Sequence, residues 1–217
     1  VINLVKMAIE GGSIAETQER LESILLKEGN RFMSQRNEVI ELLNVHSVIR
    51  MPYIRGHNDK WKGLMLDNYI DQWFKRNDQG FVYTYGDRIL AYPTFEQKIN
   101  HHNHAKVIKG YIDQMQFVIN ELKENPNSRR AMIIIYSPAI DNGREDVPCL
   151  QTLQFQLRNK VLLTTVQYRS HDIDAYYPNL CGIAEVAKYI ASQIGLMVTM
   201  GEINVYSNNL HKYISEL

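Results

Sequence analysis

The chain has 217 residues, 45% of them hydrophobic and 22% charged, the proportions of a globular protein able to build a sizeable core. Twenty-four basic residues balance twenty-four acidic ones, so no net field draws the chain to nucleic acid or to an anionic membrane. Two cysteines, Cys149 and Cys181, exclude a disulfide framework and fit a reducing cytoplasm, and no apolar run approaches the ~20 residues of a membrane span.

No repeat, linker or low-complexity tract divides the sequence, so one folding unit over 1–217 is expected. Residues 1–9 lack the basic leader and apolar core of a signal peptide, and export is not expected. Residues 14–27 read as a helix, 39–49 as a strand, and 64–74 as a second helix. Val107, Ile108, Tyr111, Ile112, Met115, Val118, Ile119 and Leu122 recur at three- and four-residue steps, which predicts a further helix ended by Asn125 and Pro126. Residues 131–136 form a short apolar run, the pattern of a buried strand. Leu153, Phe155 and Leu157 alternate with polar neighbours, Asn159 and Lys160 make a turn, and 161–168 resume the alternation. That is a hairpin. Leu180, Ile183, Ala184, Ala187, Ile190, Ala191 and Ile194 stripe a helix with Gly195 as its C-cap, and 199–206 read as a last strand. The order of elements argues for an α+β domain with a mixed sheet flanked by helices, and no glycine-rich phosphate loop suggests a doubly wound nucleotide fold.

Chemistry concentrates in the C-terminal half. Cys149 follows Pro148 where a polar loop meets the hairpin, a place that makes a thiol accessible. Arg129 and Arg130 stand at the entrance of one strand; Arg169 and Ser170 stand at the exit of another, before His171 and Asp172. Arginines at strand ends suit bidentate capture of a phosphate and lower the pKa of a nearby thiol. A zinc nucleoside deaminase would need a cysteine three residues after Cys149, where Thr152 stands. His101, His102 and His104 lack partners at ligand spacing and read as a solvated helix entry, so no metal is expected. Phe81, Tyr83 and Tyr85 read as pocket lining or core, and Cys181 as packing.

The run Ser128-Arg129-Arg130, then Pro148-Cys149 with Gln154-Phe155 behind it, then Gln167-Tyr168-Arg169-Ser170-His171-Asp172 and Pro178-Asn179, resembles the thymidylate synthase and pyrimidine nucleotide hydroxymethylase superfamily. The likeness runs from about 125 to 206, with echoes at Arg36 and at Tyr83-Thr84-Tyr85-Gly86, and is greatest to the short, archaeal-type branch. It implies a thymidylate synthase-like fold that dimerises through its sheet, and a cytoplasmic one-carbon transferase. The implied substrate is a pyrimidine nucleoside monophosphate, and the implied donor is 5,10-methylenetetrahydrofolate or a related reduced pterin. Cys149 would be the nucleophile that adds to C6 and so activates C5. Arg169, Ser170 and Arg36 would bind the substrate phosphate, with Arg129 and Arg130 crossing to it from the second subunit of a homodimer. Gln167 falls among the substrate-binding residues, Asn179 would read the base edge and Tyr206 would bind the sugar hydroxyl. Asp172 would lie beside the base and folate, and Tyr85 would assist proton removal from C5.

The departures are specific. Leu150 follows the cysteine where the family has histidine, and Asn204 replaces the histidine two residues before the sugar-binding tyrosine. Counted from Arg169, the base-reading position falls on Asn179 or Leu180; Asn179 is favoured because an amide can pair with both O4 and N3 of uracil. The family's general-acid glutamate has no clean counterpart, and Asp71 is the nearest candidate. Asn179 favours methylation of dUMP to dTMP over hydroxymethylation of (d)UMP or (d)CMP, and an intact Cys149 argues against a non-enzymatic nucleotide-binding relative.

Overall fold

The computed structural model describes residues 8–34, 37–76, 80–100 and 103–216. In chain order the elements are β1 (Ile9–Gly11), α1 (Ile14–Glu28), β2 (Asn30–Met33), β3 (Glu38–Ile49), α2 (Leu64–Asp71) running into a 3-10 turn at Gln72–Phe74, α3 (Tyr85–Leu90), β4 (Tyr92–Asn100), β5 (Asn103–Ile112), α4 (Gln114–Glu124), β6 (Met132–Ile134), α5 (Pro138–Asp141), β7 (Leu150–Arg158), β8 (Val161–Tyr168), β9 (His171–Asp172), α6 (Ile173–Ile194) and β10 (Thr199–Tyr213). The main sheet runs β1-β3-β10-β8-β7-β6, with β2 paired to β3 and β9 to β10. It is mixed: β1–β3, β10–β8 and β10–β9 pair parallel and the other pairs antiparallel. The expected α+β fold with a mixed sheet is therefore present.

Helices cover one face. α6 packs on β8 and β10, with α1, α2 and α4 beside it. Ile49, Ile203, Thr164, Val166, Leu153, Phe155 and Ile133 on that face are wholly buried. Their neighbours point the other way, and there the cross-strand row Val48, Asn204, Thr165, Gln154, Met132 carries no helix among the described residues. Gln154, Gln156, Leu163, Thr165, Asn204 and Tyr206 on this face are partly or fully exposed.

The hairpin β7–β8 forms as expected, because Asn159 and Lys160 both take the left-handed conformation (φ 49° and 66°) that a two-residue turn between twisted strands requires. Asp172 begins α6 by accepting from the Asp174 N–H at 3.0 Å, a charge-assisted N-cap. Pro178 lies inside the helix, where it takes away one helical N–H donor. Packing is tight behind it: a Cβ on Gly182 would stand 2.2 Å from the Trp73 ring, so only glycine lets the 3-10 turn dock on α6.

The helix expected from 107 to 122 starts later. Residues to Ile112 belong to β5, and α4 begins at Gln114, capped by Asp113 accepting from the Gln116 N–H at 2.9 Å. The pairing of β4 with β5 shifts between Thr94 and Phe95, leaving Lys109 as an extra residue. A bulge changes the parity of a strand, and the apolar spacing then imitates a helical period. His104 accordingly lies in β5 and not at a helix entry, while His101 and His102 fall outside the described residues. β10 also outruns its expected end by seven residues, since β3 and β9 continue to pair with it.

One buried ion pair fixes α3 to the segment before the cysteine loop. Arg88 Nη2 donates to Asp141 at 2.6 Å with both side chains at most 5% exposed, and Asp141 also accepts from the Ser137 N–H at 2.7 Å. Removing one partner of so dry a pair typically costs about 3–5 kcal/mol, because the other charge stays buried alone.

Candidate active site

The parallel pairing of β8 with β10 and the antiparallel pairing of β7 with β8 bring the exit of β8, the start of β7, and β9 to one end of the sheet. Cys149 stands there, half-buried, one residue before β7. Arg169 holds it in place. The Arg169 backbone N–H donates to the Cys149 carbonyl at 2.9 Å. Its guanidinium donates from Nε to the Pro148 carbonyl (2.9 Å) and from Nη2 to the Val147 carbonyl (2.8 Å), with Nη2 also 3.7 Å from Cys149 Sγ. Nη1 keeps no partner among the described residues, so this arginine can bind the thiol loop and still offer an N–H to an anion.

Burial raises the Cys149 pKa above its usual value; Arg169 opposes that rise, while Asp146 and Asp172 add to it. A dry thiol with one close cation is thus mostly protonated at rest, and its thiolate gains from any change that strengthens the positive side. Asp172 is itself raised, chiefly by burial.

A cavity of about 610 Å³ is lined by Tyr69, Gln72, Trp73, Tyr83, Tyr85 and Asp146 together with the 80–82 loop, and Cys149, though not part of that lining, is near enough to act electrostatically on its three tyrosines. Tyr85 begins α3 behind the N-cap Thr84, whose side chain accepts from the Asp87 N–H, and its ring lies 4.8 Å from that of Trp73. The phenols of Tyr69, Tyr83, Tyr85 and Tyr168 are all pushed upward, mainly by burial, and each is raised further by the nearby Cys149. They stay protonated, and among them the Tyr69 hydroxyl donates to Asn179. His171 stacks against Tyr168 at 3.7 Å and donates to or accepts from Ser207 at 3.1 Å; burial pushes its pKa down to about 3, so it is a neutral floor to this corner.

The sequence-derived residues divide into two groups. Cys149, Arg169, Ser170 and Asp172 meet at the sheet end, Tyr85 lines the adjoining cavity, and Asn179 reaches the same corner through a hydrogen bond from the Tyr69 hydroxyl. Leu180 is core, with no exposure, so of the two base-reading candidates only Asn179 points its side chain there. Gln167 and Tyr206 are cross-strand neighbours on the open face, where Tyr206 stacks on His46 at 4.3 Å and His46 pairs with Asn204 at 3.1 Å. An imidazole from β3 thus stands beside both Asn204 and Tyr206. Arg129 and Arg130 are stranded: the Arg129 carbonyl accepts from Gln154 at 3.1 Å, five residues along β7 from Cys149, or about 17 Å at strand rise. Arg130 is largely exposed, paired with Glu121 at 3.2 Å. Arg36 lies outside the described residues.

Asp71 does not supply an acid to the cavity; its carboxylate is 61% exposed and pairs with Lys75 at 2.9 Å. Sequence reasoning also passed over Tyr69. The available signal was a phenol within the 66, 69, 70, 73 apolar stripe of α2, where a buried hydroxyl demands a partner. Among the described residues no group of three or more His, Cys, Asp or Glu could hold a metal ion, and no helix is long and apolar enough to cross a membrane.

This arrangement agrees with what the chain resembles elsewhere. The thymidylate synthase family model matches residues 33–217, and the chain belongs to the thymidylate synthase family. It is therefore a one-carbon transferase of the methyltransferase type, acting on pyrimidine nucleoside monophosphates. Among its relatives, a protein of Methanothermobacter thermautotrophicus named "Putative thymidylate synthase" is 29% identical over 95% of this chain and 93% of its own length. One of the same name from Methanosarcina acetivorans is 31% identical over 94% of this chain and 88% of its own. The deoxyuridylate hydroxymethyltransferase of Bacillus phage SP01 is 26% identical over 89% of this chain and 53% of its own.

Replacing Arg169 with glutamine removes the cation that opposes burial. The midpoint of Cys149 alkylation by iodoacetamide, followed against pH, then moves up, and less thiolate is present at neutral pH. A midpoint that stays or falls contradicts this account of the thiol.

Proposed function

We propose that the chain transfers a one-carbon unit from 5,10-methylenetetrahydrofolate or a related reduced pterin to C5 of dUMP, giving dTMP. The observation that carries this reading is the half-buried Cys149 thiol held beside Arg169, close enough to the cavity-lining phenols of Tyr69, Tyr83 and Tyr85 for its charge to act on them. Cys149 Sγ adds to C6 of the ring, and the displaced electron pair moves through C5 toward O4, so that C5 becomes the nucleophile. Loss of the C5 proton and expulsion of Sγ restore the ring after transfer. Arg169, through its free Nη1, and Ser170 hold the phosphate. Arg36 is assigned to the same phosphate by resemblance, and Gln167 to substrate binding. Asn179 reads the base. Tyr206, flanked by His46 and Asn204, meets the sugar hydroxyl.

The cavity suits a flat heterocycle, because Tyr69, Trp73, Tyr83 and Tyr85 offer ring faces and edges with few charges. When bound there, a methylene-bearing reduced folate supplies the carbon and, for methylation, the hydride. Asp172 lies at the junction of base and folate, and Tyr85 is poised to assist removal of the C5 proton.

The site is completed by a second copy. Two observations support a homodimer through the open face: the helix-free sheet surface, and the arginine pair some 17 Å along β7 from its own Cys149, with Arg129 and Arg130 crossing to the partner's phosphate. Hydroxymethylation is the second reading, favoured by the likeness to the phage deoxyuridylate hydroxymethyltransferase; it differs only in admitting water to the exocyclic carbon.

Incubation with dUMP tritiated at C5 and methylenetetrahydrofolate should release tritium, form dihydrofolate and yield dTMP, while Cys149→Ser releases none. Tetrahydrofolate with a product heavier by one oxygen than dTMP would identify hydroxymethylation, and release by Cys149→Ser would remove the nucleophile assignment. Thr165→Arg, a charge in the middle of the open face, should give a monomer by sedimentation with activity lost. A fully active monomer would exclude the crossing arginines.

A further inference from the structure

We propose that the Tyr69 hydroxyl locks the Asn179 carboxamide in one orientation, and that this lock makes the pocket read uracil and reject cytosine. The inference rests on Asn179 as the base-reading group and concerns what fixes its hydrogen-bonding sense. A carboxamide alone has no preference between the two bases. In one orientation Nδ2 donates to O4 of uracil and Oδ1 accepts from its N3–H. Turned by 180°, Oδ1 accepts from the 4-amino group of cytosine and Nδ2 donates to its bare N3. Because the two arrangements make equally good bonds, discrimination must come from whatever holds the amide.

Tyr69 is built to do this. Its hydroxyl donates to Asn179 Oδ1 and makes no other bond among the described residues. Asn179 is 5% exposed, and its Nδ2 has no partner among the described residues. The second lone pair of Oδ1 remains for N3–H, and Nδ2 remains for O4. Burial, with the nearby Cys149, raises the phenol pKa, so Tyr69 keeps its proton and does not turn into a plain acceptor. Turning the amide would let Nδ2–H donate to the phenol oxygen, but would leave the phenol proton without its acceptor. A buried donor left unmet is worth about tenfold to a hundredfold in relative affinity. The ring is itself held: it lies on α2 beside buried Leu66, Ile70 and Trp73, with Trp61 edge-on at 5.3 Å.

Tyr69 is therefore a positioning residue, and its signature is a change in base selectivity. The test compares kcat/KM for dUMP and dCMP, as tritium release from C5, in the wild type and in Tyr69→Phe, with thermal melts run alongside. The wild type should prefer dUMP, and Tyr69→Phe should narrow the ratio by about tenfold to a hundredfold. An unchanged ratio overturns the lock and leaves the assignment of Asn179 standing. A wild type that favours dCMP overturns the lock, and one that accepts neither nucleotide overturns the base-reading assignment with it. A second measurement needs no variant: a neutron structure of the wild type with dUMP should place the Tyr69 deuteron on the bond to Oδ1 and an Asn179 amide deuteron toward O4. The reverse amide orientation overturns the proposal.

Discussion

The grip of Arg169 on the cysteine loop organises the functional end of the sheet. One side chain satisfies two loop carbonyls, approaches the thiol and keeps Nη1 without a partner among the described residues. Without it the Val147 and Pro148 carbonyls would lose their charged donor, and Cys149 would have only burial and two aspartates around it. A guanidinium can do all this at once because its donors form a rigid fork. The strand order makes the grip possible, since β8 must end where β7 begins, and the left-handed pair Asn159-Lys160 sets that register from the other end of the hairpin.

The same corner holds an electrostatic tension. Dry surroundings suppress the thiolate, yet they also keep the neighbouring phenols protonated. Donors of this kind stabilise negative charge that develops on a ring oxygen, and they do so most strongly where water is excluded. Asp71 on α2 stands apart from this corner, paired with Lys75 at the surface.

Much of this was legible in the sequence, for identifiable reasons. The β7–β8 hairpin announced itself because one of its faces is buried, so polar and apolar residues alternate, and because its turn takes left-handed residues. The cysteine and the arginines were visible as a pattern of residue types at strand ends. The 107–122 segment was not legible, because the bulge at Lys109 counterfeits a helical period. Tyr69 was hidden for a different reason: a tyrosine at a core-facing helix position looks like packing until its hydroxyl is seen to meet Asn179. His46 was equally silent, since only the pairing of β3 with β10 brings it to Asn204 and Tyr206.

The central claim is that Cys149 bonds reversibly to C6 of a uracil nucleotide. A fluorine at C5 cannot leave as a proton does, so 5-fluoro-dUMP with methylenetetrahydrofolate should halt turnover with the nucleotide still attached to sulfur. Intact-protein mass spectrometry should then show the mass of nucleotide plus folate added to the chain, and fragmentation should place it on the peptide bearing Cys149. An unmodified Cys149 under conditions where dUMP is turned over would contradict the account.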